Sequence, residues 1–217
     1  MTMHKTVMAS WLVSVVEQLV AQGLDRAELT AGLWGDQAAL SKPTRQFDRV
    51  LARRLWQRAA VLSPDPLLGL KVGAALPLQA LNIITGLIMQ STSLRDALRL
   101  TVRYQRLISN NGRLTTRPTR DGLLLCYEVT PSPVPMHPAH IDSIFAALFN
   151  VFLRCSPQPR VHPRRVTLVS PHTDCQPDYS AYFGCPVECA TAEASFEFSN
   201  DALAAPFPVA DAASTLD

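Results

Sequence analysis

No apolar run in this chain approaches the ~20 residues that a membrane span needs. There is no GxSxG around any serine, no HExxH and no glycine-rich phosphate loop. Leu68-Gly-Leu-Lys-Val-Gly73 has neither the spacing nor the preceding strand of such a loop. Nucleophile-elbow hydrolysis, zinc-helix proteolysis and phosphate-loop chemistry therefore have no foothold, and an enzyme is not expected. Charge is sparse: 18% of residues are charged and the net charge is +2, too little to imply a nucleic-acid or membrane partner. Repeats and low-complexity segments are missing as well. With 47% hydrophobic residues in 217, the chain is globular and large enough to bury roughly 70% of its unfolded surface without metals or disulfides.

Five cysteines, Cys126, Cys155, Cys175, Cys185 and Cys189, are an odd number in a chain too large for a disulfide scaffold, which fits a reducing cytoplasm. Lys5 followed by VMASWLVSVV resembles a short signal-peptide core, but Glu17 and Gln18 come directly after it and no small-x-small cleavage site is evident. Met8, Trp11, Leu12, Val15, Val16 and Leu19 fall at helical spacing instead, predicting an amphipathic helix to Ala21 that stops at Gly23.

Asp25 is a good N-cap for a second helix, with Glu28 as its capping-box partner. A connection over Asp36 to Pro43 leads to a longer helix predicted from Thr44 to Leu62, burying Phe47, Val50, Leu51, Leu55 and Ala59. Ser63-Pro-Asp-Pro66 breaks the chain before LLGLKVGAAL. Two helical segments follow between Asn82 and Ile108, the second capped by Ser93. The period then changes from 3.6 to 2. Gly112 to Thr119 and Gly122 to Thr130 read as a hairpin through Asp121-Gly122. After a proline-rich connection, Ala139 to Arg154 is a very apolar helix, followed by short strands at 164–170, 186–190 and 194–199. The expected fold is α+β: an N-terminal helical half (1–110) packed against a mostly antiparallel sheet (111–205) with one central apolar helix. A tail over 206–217 completes the single domain, 1–217.

Candidate chemistry competes with packing at each polar cluster. Cys185 and Cys189 flank Pro186-Val187-Glu188 on the predicted strand, which would hold them about 13 Å apart, too far for one metal. With Cys175 they leave a metal sensor as a remote reading, and packing as the main one. His137 and His140 are spaced for a metal, but only Asp142 and His162 stand as helpers; polar residues at the start of a buried helix are the simpler reading. His140, Ser143, Asn150 and Arg154 form a polar stripe opposite Ile141, Ile144, Phe145, Leu148 and Phe152. It either faces solvent or lines a ligand cavity. Arg95, Arg99, Arg103 and Arg106 share one helical face, and Arg49, Arg53, Arg54 and Arg58 make a second basic cluster. With few aromatics interleaved, both read as solvated or subunit-contact faces rather than a nucleic-acid groove.

Several segments together resemble one family. They are Gln22-Gly-Leu-Asp25 leading to Ala31-Gly-Leu33, Asp65-Pro-Leu-Leu-Gly-Leu70 with Gly73, Ser91-Thr-Ser-Leu-Arg-Asp-Ala-Leu98, and Arg103-Tyr104. Tyr182-Phe-Gly-Cys-Pro-Val187 with Phe196, Phe198 and Leu203, then Ala205-Pro-Phe-Pro-Val-Ala-Asp211, continue the match. In order and spacing they are similar to the N-terminal effector domain of AraC-type bacterial transcription regulators, in the non-cupin subgroup known as arabinose-binding-like. The resemblance implies that Gly184 turns a helix end into a strand opened by Pro186, which makes Cys185 a packing residue.

It further implies a cytoplasmic ligand-sensing and self-association domain, with no cofactor and no membrane partner. Its partners would be a small-molecule effector, a second copy of the chain in a homodimer, and DNA through a C-terminal helix-turn-helix region of roughly 100 residues. That region does not follow Asp217, so the chain is expected to be an excised sensor or a natural truncation without sequence-specific DNA binding of its own. Leu, Ile and Phe around the expected cavity favour a partly apolar effector such as a fatty acid or signalling lipid. Tyr104, His140 and Ser143 are the expected polar contacts. An oligomerisation module without ligand is the alternative.

Overall fold

A computed structural model describes residues 6–34, 41–156 and 161–207. The expected Asp36–Pro43 connection and the tail beyond residue 207 fall largely outside the described residues. Strand β1 (Thr6–Met8) runs into α1 (Ala9–Ala21). Trp11, Leu12, Val15, Val16 and Leu19 of α1 are buried, as their spacing predicts. Gly23, at φ 93°, takes the left-handed conformation that ends the turn. Helix α2 (Arg26–Thr30) is capped by the Asp25 carboxylate, which accepts from Glu28 N at 2.9 Å. The Arg58 guanidinium donates to the Leu29 and Ala31 carbonyls at its other end.

Helix α3 spans Val50–Leu62, six residues shorter than periodicity predicts. Its expected first turns are instead β2 (Gln46–Asp48), paired antiparallel with β1 through Val7 and Phe47. The Asp48 carboxylate accepts from Val50 N, so the chain turns into the helix there. Helix α4 (Leu68–Ala75) follows the Pro66 break, then a 3-10 turn over Leu78–Leu81, α5 (Ile83–Met89) and α6 (Leu94–Tyr104). Ser93 Oγ accepts from Asp96 N, the N-cap that the sequence predicts.

The five-stranded sheet has the order β3 (Gly112–Thr119), β4 (Gly122–Val129), β7 (Ala194–Ser199), β5 (Arg165–Thr167), β6 (Val187–Glu188). All neighbours are antiparallel except β5 and β6. The β3–β4 hairpin turns at Arg120-Asp121, one residue earlier than the Asp121-Gly122 signal. Strands β5 and β6 are shorter than predicted, β6 keeping two residues so that Cys185 and Cys189 lie outside it, while β7 has its predicted bounds. Helix α8 (Gln176–Phe183) precedes β6, and Gly184 at φ 66° makes the helix-to-strand turn. Its missing Cβ also admits the His162 ring, whose Nδ1 donates to the Phe183 carbonyl at 3.0 Å. Helix α9 (Asn200–Leu203) closes the described chain.

Helix α7 (Pro138–Cys155) is the centre of the molecule. Thirteen of its eighteen residues are buried, so both of its faces are covered. One face meets the sheet and α8: Phe145 lies 4.6 Å from Phe196 of β7 between ring centroids, and Phe149 packs against Phe183 of α8. The other face meets α4 at backbone distance. A Cβ on Gly69 would fall 2.2 Å from Ala139 O, and one on Gly73 would fall 2.3 Å from Ser143 O. Two glycines four residues apart on α4 therefore set how closely the helices approach. The far face of the sheet is polar, with Arg113–Glu128 and Arg165–Glu188 pairs across strands. Such exposed pairs contribute about 0–1 kcal/mol each.

The basic cluster on α3 corrects a sequence expectation. Arg54 is exposed, but Arg49 and Arg53 are among the most buried side chains of the protein. Arg53 Nε donates to Asn111 Oδ1 at 2.9 Å, and its terminal nitrogens donate to the carbonyls of Asn111, Thr130 and Val134. Arg49 donates to the Asn110 and Pro131 carbonyls, both at 2.6 Å. These two residues tie the helical half to both ends of the hairpin. The second row matches its reading, since Arg95, Arg99, Arg103 and Arg106 are all exposed.

Candidate effector cavity

The start of α7 is built to carry polar groups inward. Pro138 occupies its first turn, where a missing N–H costs nothing, and His137 Nδ1 accepts from Ala139 N at 3.2 Å. His140, Asp142 and Ser143 then fall inside the protein. The predicted polar stripe thus faces inward at His140 and Ser143, while Asn150 is half-buried and donates to Leu76 O at 3.3 Å. Solvent reaches Arg154.

His140 stacks on Trp56 of α3, with centroids 5.7 Å apart and rings 17° from parallel. It stands in the wall of a small cavity between the helical half and the sheet, of about 60 Å³. Trp11 of α1, Ile84 of α5, Thr101 and Gln105 around α6, Leu114 and Tyr127 of the hairpin, and Ile144 of α7 form the rest of its main walls. That volume holds a few water molecules.

Most polar groups around the cavity are already engaged. Thr101 Oγ1 donates to Ala97 O at 2.8 Å, and the Gln105 amide donates to Val102 O and Leu114 O while accepting from Leu114 N. Tyr127 directs its hydroxyl at Met136 Sδ, and burial raises its pKa far above the usual phenol range. Among the described residues His140 Nδ1 has no partner. Burial, then the nearby Arg53 charge and His137, lower the His140 pKa to about 3, so the ring is neutral at physiological pH. The cavity wall is therefore largely apolar, with one neutral imidazole standing in it.

Of the three residues expected from the sequence, His140 lines this cavity. Ser143 lies beneath Gly73, its hydroxyl donating to His140 O at 2.8 Å. Tyr104 packs at the edge of the core with the Arg103 guanidinium over its ring at 5.4 Å. The structure does not bring the three together. Thr101, Gln105 and Tyr127 were missed as wall residues. Tyr127 carried a signal, as it shares the inward face of β4 with Leu123 and Leu125. For Gln105, which latches onto an edge strand nine residues later, no local signal exists.

The cysteines lie in packing positions. Burial pushes the thiols of Cys155, Cys185 and Cys189 up to about 11, so they are protonated and poor ligands. Among the described residues no three His, Cys, Asp or Glu side chains converge as metal ligands.

Comparison with known proteins places this geometry. The profile of the family described as "Arabinose-binding domain of AraC transcription regulator, N-term" matches residues 23–207. No curated protein matches the sequence. The crystal structure of the transcriptional regulator CdpR from Pseudomonas aeruginosa is similar in fold, with a TM-score of 0.65 at 18% sequence identity. The likeness covers 93% of this chain and 58% of that one, so the chain spans little more than half the length of the regulator. That family is a class of regulatory domains and not of enzymes. On a match running through most of its length, the chain belongs to the arabinose-binding N-terminal domain family of AraC transcription regulators.

Proposed function

We propose that this regulatory domain binds a small, partly apolar effector in the cavity between its helical half and its sheet. The observation that carries the reading is His140: a buried imidazole nitrogen without a partner, in a wall shared by both halves of the chain. The cavity is smaller than the roughly 300 Å³ at which ligand pockets begin. Binding therefore requires its walls to part, and that movement is what a sensor transmits. In the cytoplasm, a homodimer of such domains would present two C-terminal helix-turn-helix units to DNA differently in the free and bound states. A coupling of about 1–3 kcal/mol suffices for such control. Catalysis has no part in this reading.

Native mass spectrometry of the purified chain, followed by a thermal-shift screen of small metabolites, tests it. The expected result is a dimer that carries or acquires an organic ligand. The His140→Phe variant, which keeps the stack on Trp56, should fold and respond at least about tenfold more weakly, as loss of one buried hydrogen bond implies. A dimer that ignores every metabolite would shift the reading to an oligomerisation module.

A further inference from the structure

A second cavity, of about 220 Å³, shares no lining residue with the first. It lies between the Ser63–Pro66 turn before α4, the start of α7, and the Ser170–His172 loop after β5. Asp142 stands in its wall and is 2% exposed. The Tyr179 hydroxyl donates to Oδ2 of this carboxylate at 2.8 Å and the neighbouring Ser170 hydroxyl also favours its charged form, whereas among the described residues Oδ1 has no hydrogen-bond partner. A buried carboxylate oxygen left without a donor costs on the order of 1–3 kcal/mol, so natural proteins rarely keep one that nothing else uses.

The charge of the lining has one sign. Asp65 and Asp142 are its acids, and among the described residues neither Lys nor Arg lines it. Asp65 is already engaged, its oxygens accepting from Leu67 N at 2.9 Å and from Lys71 Nζ at 2.6 Å. His137 supplies no counter-charge, because burial lowers its pKa and its Nδ1 accepts from Ala139 N. Above the pKa of about 7 to which burial raises it, the unmatched group is an anion at the edge of a cavity whose remaining walls are largely proline and alanine. An ammonium group satisfies it with a charge-assisted hydrogen bond. The hydroxyls of Ser63 and Ser170, in the same walls, offer further acceptors to its other hydrogens.

We propose that this cavity is a second ligand site, which takes a small aliphatic primary amine with its ammonium on Asp142 Oδ1 and its short carbon chain against the prolines. The site does not depend on the effector cavity. Titration calorimetry and thermal shift with n-butylamine as the probe, at about pH 8, test it against n-butanol and butyrate of the same length. Butylamine should bind and raise the melting temperature, while the neutral and anionic probes should not. Asp142→Asn should weaken butylamine at least about tenfold, the loss expected of a charge-assisted bond. His140→Phe should leave the amine response intact, which separates this site from the effector cavity. His172→Trp, which fills the rim, should weaken binding while keeping the carboxylate, and it decides the matter if Asp142→Asn does not fold. No response to butylamine, an equal response to butanol, or unchanged amine binding in the folded variants would each overturn the proposal.

Discussion

Two buried groups on one helix, two residues apart, oppose each other in acid, and the opposition can be measured. His140 has its pKa lowered from 6.5 to about 3, chiefly by burial. As pH falls below 6.5 the unfolded chain takes up this proton and the native state does not, so stability is lost progressively toward pH 3. Asp142 has its pKa raised from 3.8 to about 7, again chiefly by burial. As pH falls below 7 the native state takes up that proton first, so stability is gained until the unfolded carboxyl also titrates near 3.8. Between about pH 6.5 and pH 4.5 each group contributes roughly 3 kcal/mol, at about 1.4 kcal/mol per unit, with opposite signs. In the wild type the two act against each other.

The variants uncouple them. Relative to wild type, His140→Phe should become more stable by roughly 3 kcal/mol over that acid step, and Asp142→Asn less stable by a similar amount. Urea unfolding followed by tryptophan fluorescence, which Trp56 reports directly beside His140, gives both differences at the two pH values. Differences that stay the same at both pH values, within about 0.5 kcal/mol, would refute the account of these groups as buried titrating side chains with shifted pKa values.

Arg53→Leu removes four hydrogen bonds to the hairpin and its flanking loop and strands buried carbonyls, so a loss of about 3–5 kcal/mol is expected in denaturant unfolding. Exposed Arg99→Leu should change stability by less than about 0.5 kcal/mol in the same assay. Gly73→Leu cannot be accommodated without parting α4 from α7; it should cost at least about 3 kcal/mol and lower the melting temperature correspondingly. A well-folded Gly73→Leu protein of unchanged stability would disprove the backbone contact.

The sequence made local features legible and long-range ones not. The buried stripe of α1, the Asp25 and Ser93 caps, the Gly23 stop and the hairpin all depend on residues within one or two turns of one another, and all are readable. The start of α3 was not, because Gln46–Asp48 becomes a strand through a partner forty residues away. Arg49 and Arg53 looked solvated for the same reason. Their acceptors are carbonyls 58 to 82 residues downstream, and periodicity cannot register a backbone oxygen. On α7, alternation between a polar and an apolar side left open whether the polar stripe faces solvent or lines a cavity. The structure covers both faces, using glycines on α4 to receive the polar one. His140 was legible as a buried polar residue at a helix start, whereas most of its cavity wall comes from other elements.

The glycine contact between α4 and α7 has a mechanical consequence. With peptide groups of the two helices pressed together at Gly69 and Gly73, no layer of flexible side chains lies between them to absorb a displacement. A push on the first turns of α7, from either cavity, would move α4 with it as a single stiff pair. The Ser63–Pro66 turn at the head of α4 would be carried along, so an event inside the core would surface on the outside of the molecule there.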